Sequence, residues 1–115
     1  MVVHSATHCL ERGFVLSPRG SVERGRPLTV RYIALLQAAS TATAKATLHY
    51  RKMGSSDAFT PKAMRSVRSV FTADLGGGDG GLNEDVEYFV SLSGATRALK
   101  WPAGAPALPH TVIVV

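Results

Sequence analysis

Residues 82–92 constrain this chain more than any other stretch. Val86, Tyr88, Val90 and Leu92 fall on one side of a period of two, and Glu87, Phe89 and Ser91 fall on the other. That alternation belongs to a half-buried strand and not to a helix. Leu82 stands six residues before Tyr88, the spacing that a tyrosine corner uses in a Greek-key sandwich. The stretch therefore speaks for an all-β architecture and says little about chemistry.

The rest of the chain is punctuated in the same way. Residues 1–13 carry no clear period and read as a leader or a short added edge strand. From Phe14 to Val115 the turn signals recur roughly every 8–12 residues, as in a sandwich. Phe14 to Ser17 is a short apolar run stopped by Pro18. Arg19 to Gly25 reads as an edge strand and turn. Leu28 to Leu36 is a strand with Leu28, Val30, Tyr32, Ala34 and Leu36 on one face. Residues 37–43 read as a loop: their alanines favour helix weakly, but seven uncapped residues do not sustain one. Ala44 to Lys52 follows, with Ala46, Leu48 and Tyr50 inward and Thr47, His49 and Arg51 outward. Pro61 confines the next strand to an edge. Met64 to Leu75 reads as one alternating strand, and Gly76 to Gly81 as a flexible loop. After the strand of residues 86–92, Gly94 turns the chain and Arg97 to Trp101 returns. Pro102 to Pro106 is a stiff connection, and His110 to Val115 is the last strand.

A chain of 115 residues, 45% apolar, makes one domain with a single modest core. Eleven glycines and six prolines suit many short strands. Thirteen basic residues against eight acidic ones give a net charge of +5, but the charges are scattered. The densest group, Lys62, Arg65 and Arg68, has no closely interleaved aromatic residue, so nucleic acid is not an expected partner. Cys9 is the lone cysteine and forms no internal disulfide. The start, Met1-Val2-Val3-His4, lacks the basic-then-apolar pattern of a signal peptide. No apolar run is long enough to span a bilayer, so membrane insertion is not expected.

With the strands placed, the chain resembles a fibronectin type III or immunoglobulin-like module. The residues that carry this are Gly25-Arg26-Pro27-Leu28-Thr29-Val30, Leu48-His49-Tyr50-Arg51, Phe59-Thr60, Met64, Val86-Glu87-Tyr88-Phe89-Val90, Trp101-Pro102 and Pro109-His110-Thr111-Val112-Ile113-Val114. The resemblance covers residues 14–115. It implies two antiparallel sheets of seven or eight strands in all. It also implies an accessory or spacer module of a larger bacterial exported protein, either a polysaccharide-acting enzyme or a surface protein. Such a module sits outside the cell or on its surface beside a neighbouring domain. Three features depart from the pattern. Tyr50 stands where an immunoglobulin strand buries a tryptophan, the paired cysteines are missing, and Glu84 replaces the proline common before the corner. There is no Arg-Gly-Asp tripeptide.

No set of residues points to catalysis or to a cofactor. His4, His8 and Cys9 have zinc-ligand chemistry but no fixed fourth ligand. Gly76 to Gly81 with Asn83, Glu84 and Asp85 offers oxygens of the kind calcium takes, without the repeat that builds such sites. There is no Gly-x-Ser-x-Gly elbow and no phosphate loop. Adjacent carboxylates at a strand start do not make a glycosidase pair. Attention falls instead on a contact surface of outward His49, Arg51, Glu87 and Phe89; Trp101 reads first as an end-of-strand core plug packed by Pro102, and as an aromatic platform for a sugar ring if exposed. Phe89, Ile33 and Leu35 stand out of phase with the core and mark where a neighbouring domain would dock. The alternative reading is a carbohydrate-binding module that uses Trp101 with the polar residues of the outer sheet face. A third is a dimerisation domain joined through the out-of-phase apolar face.

Overall fold

A computed structural model describes residues 11–77 and 80–115. Ten strands run in order: β1 (Arg12–Val15), β2 (Ser21–Val22), β3 (Leu28–Leu35), β4 (Lys45–Lys52), β5 (Thr60–Ala63), β6 (Arg65–Val67), β7 (Val70–Leu75), β8 (Val86–Ser93), β9 (Leu99–Trp101) and β10 (His110–Val114). One helical turn, α1 (Ala38–Thr41), joins β3 to β4. One sheet has the order β1-β3-β7-β6. The other has the order β2-β10-β8-β4-β5, with β9 also paired to β8. All pairings are antiparallel except β2 with β10.

The expected alternation sets the core. Leu28, Val30, Tyr32 and Ala34 of β3 face Ala46 and Leu48 of β4 and Val86, Tyr88, Val90 and Leu92 of β8 across one apolar cluster. Phe71, Ala73 and Leu75 of β7 complete it. Each Val, Leu or Phe side chain so removed from water contributes about 1.5–3 kcal/mol before entropy is counted. Leu82 and Tyr88, six residues apart, both belong to this cluster. The result is all-β and sandwich-like, with two sheets packed face to face.

Three expectations need correction. The stretch from Met64 to Leu75 is not one strand. It folds into the hairpin β6–β7, because Arg68 takes φ +61° and turns the chain within two residues. Residues 37–43 do contain a helical turn. The expected edge strand of the N-terminal segment starts at Arg12 and runs across the boundary placed at residue 14, pairing with β3. The last two strands are separate, as expected. β9 and β10 both lie along β8 on the side away from β4, β9 beside Val90–Leu92 and β10 beside Val86–Tyr88. Residues 102–109 loop out between them. With β6 and β7 separate, ten strands stand among the described residues, above the seven or eight expected.

One close approach explains a glycine. Tyr32 is fully buried, and its ring fills the place that a side chain at Gly13 would need. Its hydroxyl has no partner among the described residues, and burial pushes the phenol pKa up. Tyr32→Phe is therefore expected to raise stability by about 1 kcal/mol, by removing an unsatisfied buried group. Gly13→Ala is expected to lower it by ~1–3 kcal/mol through overpacking. Urea unfolding of the single variants and of the pair measures both. The pair should recover part of the Gly13→Ala loss, because Tyr32→Phe removes the atom struck first.

Candidate functional site

His49, Arg51, Glu87 and Phe89 do meet on the outer face of β4 and β8. The register sets His49 opposite Phe89 and Arg51 opposite Glu87. The His49 ring lies parallel to Phe89, 4.3 Å between centroids and 6° apart in plane. Its Nε2 is hydrogen-bonded to Ser91 Oγ at 2.8 Å. Arg51 Nε donates to Glu87 Oε2 at 2.6 Å and Nη1 donates to the Asp57 carbonyl at 2.9 Å. Burial holds the His49 pKa below the usual imidazole value.

Phe89 is only 8% exposed, which corrects its expected role as an open contact residue. The cause is Phe59, which the sequence gives no reason to place there. The β4–β5 connection folds back over the sheet and sets Phe59 edge-on to Phe89, centroids 4.9 Å apart. Arg51 then lies over the far side of Phe59, its guanidinium carbon 4.1 Å from the ring centroid. Glu87 is also buried, its carboxylate held by Arg51. The group forms a closed stack whose polar atoms satisfy one another. The one available signal was a phenylalanine two residues before an edge-strand proline, which is weak.

Trp101 does not join this group. It pairs with Val90, a core position, so its ring turns to the opposite side of the sheet. There it is half-buried, 6.1 Å from Tyr88 and 5.3 Å from His110. Tyr88 and His110 approach each other edge-on at 5.2 Å. His110 Nε2 donates to the Arg19 carbonyl at 2.8 Å. Burial pushes the Tyr88 phenol well above its usual pKa. A single carbohydrate site built from Trp101 with His49, Arg51 or Glu87 is therefore geometrically excluded, because a sheet lies between them.

The other candidate residues are accounted for as follows. His4, His8 and Cys9 lie outside the described residues, as does Asp79 of the glycine loop. Asp85 accepts the Val114 amide at 2.7 Å, and Glu84 pairs loosely with Lys52. Asn83 Nδ2 donates to the Gly80 and Gly81 carbonyls. Among the described residues, no three His, Cys, Asp or Glu side chains converge as metal ligands would. Lys62 donates to the Asp74 carbonyl at 2.6 Å beside an open groove of about 320 Å³ shared with Arg65 and Thr72.

The structure adds one residue that the sequence reading passed over. Glu11 is 2% exposed, and its carboxylate accepts the Gln37 and Thr96 amides at 3.0 and 2.8 Å. The Ser40 and Thr96 hydroxyls add to this. The Ser40 hydroxyl is the main cause that draws its pKa down to about 2, with the backbone amides next. Arg97 Nη2 donates to the Glu11 carbonyl. Glu11 thus ties the start of β1 to α1 and to the β8–β9 turn.

No family model matches the chain, and no curated protein matches it significantly.

Two outcomes follow from this geometry. Phe89→Ala should cost about 3 kcal/mol in chemical denaturation, as a buried aromatic does. An exposed phenylalanine would change stability by no more than ~0.5 kcal/mol. The Glu11 carboxylate has a lower pKa folded than unfolded, so its stabilisation is complete above the unfolded value of 4.5 and is lost as pH falls towards about 2. Thermal melts across that window should show the wild type losing stability faster than Glu11→Gln, with the variant already less stable at neutral pH.

Proposed function

We propose that this chain is an immunoglobulin-like module of the fibronectin type III kind. It serves as a non-catalytic spacer or accessory domain in a larger bacterial exported protein, outside the cell or on its surface. The strand orders support the assignment. The sheet β1-β3-β7-β6 follows the A-B-E-D order, and β10-β8-β4 follows G-F-C. β2 beside β10 and β5 beside β4 extend the second sheet at both edges.

The observation that carries the spacer role is the path of the chain. Glu11 lies at one end of the sandwich, bonded to residues just past the ends of β3 and β8. Val115 lies at the other end, where its amide donates to the Val22 carbonyl and its carbonyl accepts the Arg24 amide. Neighbours joined at these two points are held apart by the full length of the strands. The titratable side chains support a structural role as well. Glu11, Asp85, Glu87, His49 and His110 are all engaged in bonds that hold the fold.

Limited proteolysis of the product of the whole reading frame tests this reading. It should release a resistant fragment bounded near Glu11 and Val115, flanked by other folded parts. A product with no adjoining domain, or one in which residues 11–115 are digested as readily as their flanks, would overturn it.

A further inference from the structure

The sheet β1-β3-β7-β6 buries one face and leaves the other open. On the open face, Phe14 stands opposite Ile33, Ile33 opposite Val70, and Val70 opposite Val67. An apolar row thus crosses all four strands, about 14 Å at the usual strand spacing. Leu35 and Leu16 flank it. Val67 is 72% exposed, Leu16 49%, Leu35 42% and Phe14 41%. Unlike Phe89 on the other sheet, none of these is covered by a loop of the chain's described residues.

The row is bordered by one sign of charge. Arg12 stands opposite Leu35, and Arg31 and Arg65 flank Thr72 in the adjacent cross-strand row. Arg68 occupies the turn that ends the apolar row. All four arginines are exposed, and none of their guanidinium groups has an ion pair or hydrogen bond among the described residues. Asp74, the one carboxylate on this face among the described residues, accepts the Thr29 hydroxyl at 2.7 Å. Arg68 also holds a positive φ, where glycine fits at lower cost.

We propose that this face docks on an anionic lipid surface. Exposed aliphatic and aromatic side chains enter the interfacial layer, while guanidinium groups around them meet lipid phosphates. A face whose charges, Asp74 apart, are all positive suits a plane of the opposite sign. A second copy of this chain would set arginine against arginine, which charge repulsion opposes. A protein partner would have to offer carboxylates around a matching apolar row. The lipid plane asks for no such register. The inference does not depend on the spacer reading, because the isolated chain carries the whole face.

Co-sedimentation with vesicles of phosphatidylcholine alone, and of phosphatidylcholine mixed with phosphatidylglycerol, tests it. The chain should bind the mixed vesicles, release with added salt, and ignore the neutral ones. Each arginine near such a surface is worth about fivefold in partition, so Arg65→Glu should weaken binding by at least about tenfold. Val67→Asp should weaken it as well, with circular dichroism confirming the fold. Lys100→Glu, the same charge change on β9 of the other sheet, should bind as the wild type does. Arg68→Gly should weaken binding while raising the melting temperature. No binding to the mixed vesicles would overturn the proposal. So would equal losses from Lys100→Glu and Arg65→Glu. Competition by soluble polyglutamate with no effect of Val67→Asp would also overturn it, and would point to an acidic protein partner.

Discussion

β3 and β8 lie centrally in opposing sheets, and each can send only every second side chain into the space between them. That constraint fixes most of the molecule. Once Tyr32 and Val90 face inward, the register of β1, β7, β4 and β10 follows, because a slip of one residue on any of them would turn its apolar set to solvent. Gly13 is a consequence of the same demand. The Tyr32 ring is longer than the layer it packs in, so the strand beside it gives up a side chain to make room. The unpaired phenol is the cost of placing a tyrosine where only its ring is needed.

A period of two also decides what is left over. Both central strands carry apolar residues on their outer faces, and the two sheets treat them differently. On β8, Phe89 is closed in by the protein itself: His49 stacks on one side, Phe59 meets it edge-on, and Arg51 bonded to Glu87 covers Phe59. The Arg51 guanidinium there has its partners. On β3, Ile33 and Leu35 extend across a face where arginines stand without partners. Like charges within a Debye length of roughly 8 Å repel one another and add nothing to folding. The clearest contrast between the two outer faces is that one is sealed over Phe89 by its own loop, while the other is left open with unpaired arginines around an apolar row.

Much of this was legible in the sequence, because inward faces depend on neighbours only through periodicity. The faces of β3, β4 and β8 could be read residue by residue from their alternation. What could not be read depended on long-range partners or on single backbone angles. The burial of Phe89 depends on Phe59, thirty residues earlier, whose place is set by how the β4–β5 connection folds back. A core place for Trp101 is the favoured reading, but the register with Val90 that turns its ring away from His49 and Arg51 was not legible. The hairpin β6–β7 depends on one arginine in a conformation that sequence patterns assign to glycine, so an unbroken alternation from Met64 to Leu75 looked like a single strand. The open face was half legible: Ile33 and Leu35 stood out of phase, but Phe14, Val70 and Val67 joined them only once the strands were set side by side.

Glu11 shows how a short element acquires a reason to exist. Four residues of helix do not hold together alone. α1 forms because the residue before it, Gln37, gives its amide to a buried carboxylate, while Ser40 within it supplies a hydroxyl to the same group. The carboxylate also takes the Thr96 amide, so one charge closes three segments that are distant in sequence. A buried anion is tolerated only when its oxygens are fully met by donors, and here they come from two separate connections. Moving either connection would strand the charge, so each holds the other in place. The start of β1 is thereby fixed relative to the body of the sandwich, which is the rigidity the proposed spacer role would need at that end.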